Sequence, residues 1–103
     1  MFLKFLKKLK NSSYTKEDIH LKTLLAKNIL INNRKKYSNF NSINEAEEKF
    51  FSQNGEDGII DFLLECMKIN SPKFLEIGVE EYLECNTRLI YELRNSTGLI
   101  IDQ

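Results

Sequence analysis

The chain has no tryptophan, one proline, one histidine, two cysteines and four glycines among its 103 residues. No apolar run approaches the roughly 20 residues that a membrane-spanning helix requires, so such a helix is excluded. Residues 1–10 lack both a long apolar core and a small-residue cleavage site, which makes a secretory signal a poor fit. Cys66 and Cys85 lie 19 apart and belong to no metal or redox spacing. They are expected as buried free thiols in a reducing cytoplasm. His20, beside Asp18 and between Lys16 and Lys22, reads as a solvated helix residue. What is present suffices for one small domain: aliphatic and aromatic content is ordinary, and wholesale disorder is not expected.

Zero net charge hides an asymmetry. Residues 1–50 carry eleven Lys or Arg against five Asp or Glu, and residues 51–103 carry four against ten, so the halves are +6 and −6. A basic front half suits an acidic surface, either a membrane or the chain's own acidic half. Met1–Lys10 sets Phe2, Leu3, Phe5, Leu6 and Leu9 against four lysines, an amphipathic helical pattern. It reads either as a weak membrane-surface or partner-docking helix or as a helical terminus packed on its own domain. Neither a metal nor a nucleic-acid partner is expected.

A second helix is expected from Ser13 or Thr15, with Glu17 and Asp18 at the positive end of its dipole and Arg34-Lys35-Lys36 at the negative end. Its apolar face reads as Ile19, Leu21, Leu24, Leu25 and Ile29 or Leu30. Residues 37–45, rich in Asn and Ser, read as a loop. Ile59 to Ile69 forms another helical pattern, with Ile59, Ile60, Leu63, Leu64 and Met67 on one face, ended by Asn70-Ser71-Pro72. Phe74 to Val79 reads as a short buried strand. A helix capped by Asn86 or Thr87 then runs to about Arg94 with Leu89, Ile90 and Leu93 inward. Leu99-Ile100-Ile101, closed by Asp102, is the last strand. Two apolar strands joined through a helix predict an α/β fold with a parallel pair and a right-handed crossover. The division is a basic helical extension over 1–49 and a strand–helix–strand unit over 50–103.

That unit carries the candidate chemistry. Gly78 permits a sharp turn off the strand tip and a close ligand approach. Asp102, 24 residues on at the next strand tip, is placed to accept hydrogen bonds from two ribose hydroxyls. The loop between them holds Glu80, Glu81 and Glu84, which would repel a dinucleotide's pyrophosphate. S-adenosylmethionine, with a sulfonium, an ammonium and no phosphate, tolerates such a loop. An ordinary βαβ turn with solvated glutamates explains the same residues.

Four ordered blocks add a resemblance: Ser52-Gln53-Asn54-Gly55-Glu56-Asp57, Phe74-Leu75-Glu76-Ile77-Gly78-Val79, Glu84-Cys85-Asn86-Thr87-Arg88 and Gly98-Leu99-Ile100-Ile101-Asp102. Together, over about residues 50–103, they resemble the start of an FkbM-type S-adenosylmethionine-dependent methyltransferase. The resemblance implies a Rossmann-like class I methyltransferase sheet and O-methyl transfer to a sugar or other small-molecule acceptor. By position, Glu76 and Gly78 correspond to the first cofactor motif and Asp102 to the ribose-binding acid. Gln53, Glu56 and Asp57 fall in the preceding signature, either as a cofactor lid or as caps of the next helix. Asn86 and Thr87 either touch the methionine moiety or cap the helix after them. Glu80 and Tyr82 stand where the motif usually has more glycine. The later strands and the acceptor region are not represented, so the expectation is an N-terminal piece of such an enzyme, cytoplasmic or peripheral at a membrane, with weak or no cofactor binding and no turnover alone. No catalytic base can be named. The competing expectation is a non-enzymatic interaction or membrane-surface module that uses the basic N-terminus.

Overall fold

The computed structural model describes residues 15–79 and 82–102. The amphipathic stretch 1–10 and the Glu80–Glu81 pair therefore lie outside the described residues. The architecture is mixed α/β: helix α1 (Lys16–Arg34), helix α2 (Glu56–Met67), strand β1 (Lys73–Ile77), helix α3 (Arg88–Arg94) and strand β2 (Thr97–Ile101). Among the described residues, no helix is long and apolar enough to cross a membrane.

Helix α1 starts where the sequence places it. The Thr15 hydroxyl accepts from the Asp18 N–H, and the Asp18 carboxylate accepts from the Thr15 N–H, so two groups that the first turn leaves open are satisfied reciprocally. Arg34 lies in the last turn, at the negative end of the dipole. The inward face differs from the expected one. Ala26 and Leu30 are buried with Ile19 packed beside them, while Leu21, Leu24, Leu25 and Ile29 are exposed. Helical spacing is satisfied by either face. The small Ala26 allows α1 close to its neighbours, which a row of leucines would hold away.

Ala26, Leu30, Phe51 and Leu89 form the core, with Phe50 and Leu93 packed against it. Residues 37–45 contain structure where a loop was expected: short 3-10 turns cover Tyr37–Asn39 and Ile43–Ala46. Tyr37 packs edge-on against Phe40 and Phe62, with ring centroids 5.4 and 5.1 Å away.

Helix α2 begins three residues earlier than the apolar pattern indicates, and its buried side is Asp57, Gly58, Asp61 and Leu64. Leu63 and Met67, expected inward, are exposed. Polar residues are buried here because the chain supplies their partners. Gly58 is buried because the backbone of residues 46–48 crosses directly over it. A Cβ there would sit 1.9 Å from the Ala46 carbonyl oxygen and 2.5 Å from the Glu48 nitrogen. The Gly58 N–H donates to the Glu48 carbonyl at 3.1 Å, so the crossing is also hydrogen-bonded.

β1 and β2 pair in parallel, with Leu75 opposite Leu99 and Ile77 opposite Ile101. The expected burial of the first strand does not hold: alternate residues of β1 are exposed, and β2 is exposed throughout. Leu75, Ile77, Leu99 and Ile101 share one face by the two-residue strand period, and that face is bare; Ile77 and Leu99 are each 68% exposed. Cys85 is buried as expected, but Cys66 is exposed on α2. Its position in the helix sets it away from the core.

Candidate functional site

The parallel register decides which expected site residues meet. Because Ile77 lies opposite Ile101, Gly78 and Asp102 leave the two strands side by side, and the Gly78 N–H donates to the Ile101 carbonyl at 2.8 Å. Gly78 has φ +83°, a left-handed conformation that L side chains rarely adopt. Among the described residues, a Cβ built there meets nothing within 4 Å. Asp102 is exposed at the same edge.

Glu76 organises the loop that enters this edge. Its Oε1 accepts from the Asn86 N–H at 2.9 Å, the Thr87 N–H at 3.0 Å and the Thr87 hydroxyl at 3.0 Å. The Tyr82 hydroxyl lies 2.7 Å from Thr87 Oγ1 and extends the network. Thr87 is the N-cap of α3 by position, but its side chain makes no cap bond to that helix. Of the two expected roles, side-chain capping is not seen; instead the Asn86 and Thr87 N–H groups bind the strand carboxylate. Such charge-assisted bonds are the stronger class and lock loop to strand. Burial pushes the Tyr82 phenol and the Cys85 thiol up from their ordinary values, so neither is poised as an anion at neutral pH.

The Ser52–Asp57 block lies in the turn before α2. Asp57 Oδ2 accepts from three consecutive N–H groups, Phe50 at 2.8 Å, Phe51 at 2.6 Å and Ser52 at 2.9 Å, while the Asp57 N–H donates to Ser52 Oγ at 3.1 Å. At 2% exposure, Asp57 is not available as a lid over a cofactor. Nor does it cap its own helix, whose N-cap is Gly55 without a side-chain bond. It holds the preceding strand of backbone instead. Burial raises its pKa against the opposing pull of those N–H groups. Glu56 accepts from the Asn54 N–H at 2.7 Å, and hydrogen bonds from its own N–H and that of Asn54 hold its carboxyl below the usual range. Gln53 is exposed and stays at the surface. The Cys85 N–H donates to the carbonyl of Phe51, the residue just before the block, at 3.1 Å. The structure therefore brings Glu76, Gly78, Asn86, Thr87 and Asp102 together and sets Gln53, Glu56 and Asp57 one step behind them.

Sequence reasoning missed a buried ionic cluster at the other end of the sheet. Asp61 accepts from Arg34 through two bonds of 3.0 and 2.7 Å, from the Tyr37 hydroxyl at 2.8 Å and from Arg94 at 2.6 Å. Arg94 also reaches Glu65 at 2.9 Å and the Ile69 and Asn70 carbonyls. Burial pushes the Asp61 carboxyl upward, but the donors from Arg34, Arg94 and Tyr37 outweigh it and hold its pKa below the ordinary value. Burial and the Asp61 bond raise the Tyr37 phenol. An open depression of about 290 Å³, bordered by Arg34, Glu65, Ser71 and Asn95, lies over this cluster. Ser71 and Asn95 precede β1 and β2, so the depression marks the amino ends of the strands, away from Gly78 and Asp102. Its charges are spent on each other, which makes it a structural feature. The only sequence signal was negative: an Asp and an Arg at helix positions that the apolar pattern leaves unexplained.

No protein-family profile matches the chain, and neither the curated proteins nor the solved structures give a match.

Proposed function

We propose that the carboxyl edge of β1 and β2 is the cofactor half-site of an FkbM-type S-adenosylmethionine-dependent methyltransferase on a Rossmann-like sheet, which transfers methyl to an oxygen of a sugar or other small-molecule acceptor. The observation that carries this reading is Gly78, left-handed and with nothing among the described residues within 4 Å of a Cβ built there, beside Asp102 at the next strand end. In open α/β sheets, ligands bind outside the carboxyl ends of the strands. Asp102 accepts from the ribose hydroxyls, Gly78 admits the cofactor against the backbone, and Glu76 fixes the Asn86–Thr87 loop that borders it. Glu76 and Asp102 make this edge acidic, which suits a sulfonium and an ammonium and opposes a pyrophosphate.

When bound, S-adenosylmethionine supplies an electrophilic methyl group. The chain's own residues act by holding the donor in a fixed orientation, where alignment alone contributes much of the rate. No side chain among the described residues is assigned as a base for the acceptor.

Titration of the isotope-labelled full chain with S-adenosylhomocysteine, followed by amide NMR, tests the reading. Saturable shifts in the millimolar range are expected at Gly78, Asn86, Thr87 and Asp102, with none from NAD at the same concentrations. Shifts confined to other residues, or none at all, would sink it.

A further inference from the structure

The outward face of α1 has a pattern that the core does not use. Glu17, Leu21, Leu24, Asn28, Ile31 and Lys35 succeed one another at intervals of 4, 3, 4, 3 and 4, the spacing of a heptad seam. All six are exposed, with Leu21, Leu24 and Ile31 at 49, 45 and 42%. The inward row of buried Ala26 and Leu30 with half-buried Ile19 is on the opposite side, since residues spaced by sevens and by alternating fours and threes stay on one side of a helix. Lys35, the C-cap residue, keeps helical backbone at φ −65°, so the row continues to it.

We infer that this face is an isologous interface, and that its occupant is the same helix of a second copy of the chain, packed antiparallel. The charges at the two ends argue for that partner and that direction. Glu17 is acidic at one end and Lys35 basic at the other. A two-fold axis beside residue 26 sets Glu17 of one copy against Lys35 of the next, Leu21 against Ile31, and Leu24 against Asn28. Parallel pairing would put Glu17 against Glu17 and Lys35 against Lys35 instead. The self-complementary row satisfies the requirement of a two-fold contact, in which one patch must match itself. Asn28 sits in the middle of the apolar row, where a single polar residue fixes register at some loss of affinity. Leu25, 41% exposed, flanks the seam and adds apolar surface.

The available area sets the strength. Nineteen residues make a helix about 28 Å long, room for between two and three heptads. A helix pair of that length buries on the order of 1,000 Å², the lower bound for a specific interface, so a weak, concentration-dependent dimer is expected. The interface is independent of the strand edge that carries the proposed cofactor site.

Sedimentation equilibrium of the full chain, from low to several hundred micromolar, tests the inference together with charge exchange. A monomer–dimer equilibrium is expected. Leu24→Lys is expected to weaken it by about 10-fold or more, since each copy buries the introduced charge against the other. Glu17→Lys and Lys35→Glu are each expected to weaken it about 5-fold, and the doubly exchanged E17K/K35E chain is expected to recover the original constant. Circular dichroism identifies any variant that loses helix, and the charge exchange then decides without Leu24→Lys. A chain that stays monomeric throughout overturns the proposal. So does a dimer indifferent to all four variants, or co-sedimentation of a monomer with anionic phosphatidylserine vesicles that Leu24→Lys abolishes.

Discussion

Two glycines that look alike in the sequence have opposite physical reasons. At Gly58 the backbone of residues 46–48 crosses within 1.9 Å of where a Cβ would stand, and the colliding atoms are main chain and cannot rotate aside. At Gly78 a Cβ would meet nothing among the described residues, and the obstacle is the left-handed φ. Gly58→Ala is therefore expected to destabilise by about 3 kcal/mol or more through forced separation of residues 46–48 from α2. Gly78→Ala is expected to lower stability by only about 1–2 kcal/mol while weakening S-adenosylhomocysteine shifts at the strand edge. Urea unfolding of the two variants, with the titration repeated on Gly78→Ala, checks both halves. Equal losses of stability would contradict the assignment. The signature Ser52–Asp57 shows the same lesson for side chains. Its residue types were legible, but the carboxylate of Asp57 faces inward to three N–H groups, and no local pattern reveals that direction.

At the scale of elements, α1, α2 and α3 are tied by one carboxylate, Asp61, which takes Arg34 from the first helix and Arg94 from the third. Removing Asp61 leaves two guanidinium groups sharing the half-buried Glu65 as their carboxylate partner, which costs more than the intact group contributes. Asp61→Asn is expected to destabilise by about 3 kcal/mol at neutral pH. The pH dependence follows from its lowered folded-state pKa. The unfolded chain binds the proton more readily, so the stability from Asp61 is complete above the unfolded value near pH 4 and is lost as pH falls through the lower folded value. Unfolding measured at pH 7 and at about pH 2–3 should show the gap between Asp61→Asn and the unaltered chain narrow in acid. A gap that widens would mean that the carboxyl is neutral in the folded protein. Helix positions and caps were readable in advance, as Thr15 and Asp18 show. The inward faces were not, because α1 and α2 offer more apolar positions than the core accepts.

The whole molecule leaves two apolar surfaces uncovered among the described residues: the heptad face of α1 and the sheet face of Leu75, Ile77, Leu99 and Ile101. Parallel strands are ordinarily covered on both faces, and bare, in-register aliphatic rows favour association. Leu99→Lys is expected to change folding stability by no more than about 0.5 kcal/mol, because the side chain is already 68% exposed. It is expected to raise the concentration at which light scattering appears. A large loss of stability would show that the face is covered in solution. The sheet itself was anticipated from its ends: a proline before β1, Gly78 after it and Asp102 closing β2. That two parallel strands with these helices cannot be covered on both faces follows from their number; which face stays bare does not, since an apolar run reads the same on either side.

By itself the sequence determined the order and kind of the main helices and strands and the start of α1 at Thr15, because caps, a proline and charge placement act over three or four residues. It also determined that Gly78 and Asp102 end two strands. Only the tertiary structure decided that those ends are neighbours, that Glu76 binds the Asn86–Thr87 loop, that Asp57 serves the backbone and that five large aliphatic residues of α1 face outward. Those outcomes depend on packing between residues distant in the chain, such as Cys85 on Phe51 or Ala46 on Gly58, and distance along the chain carries no record of them.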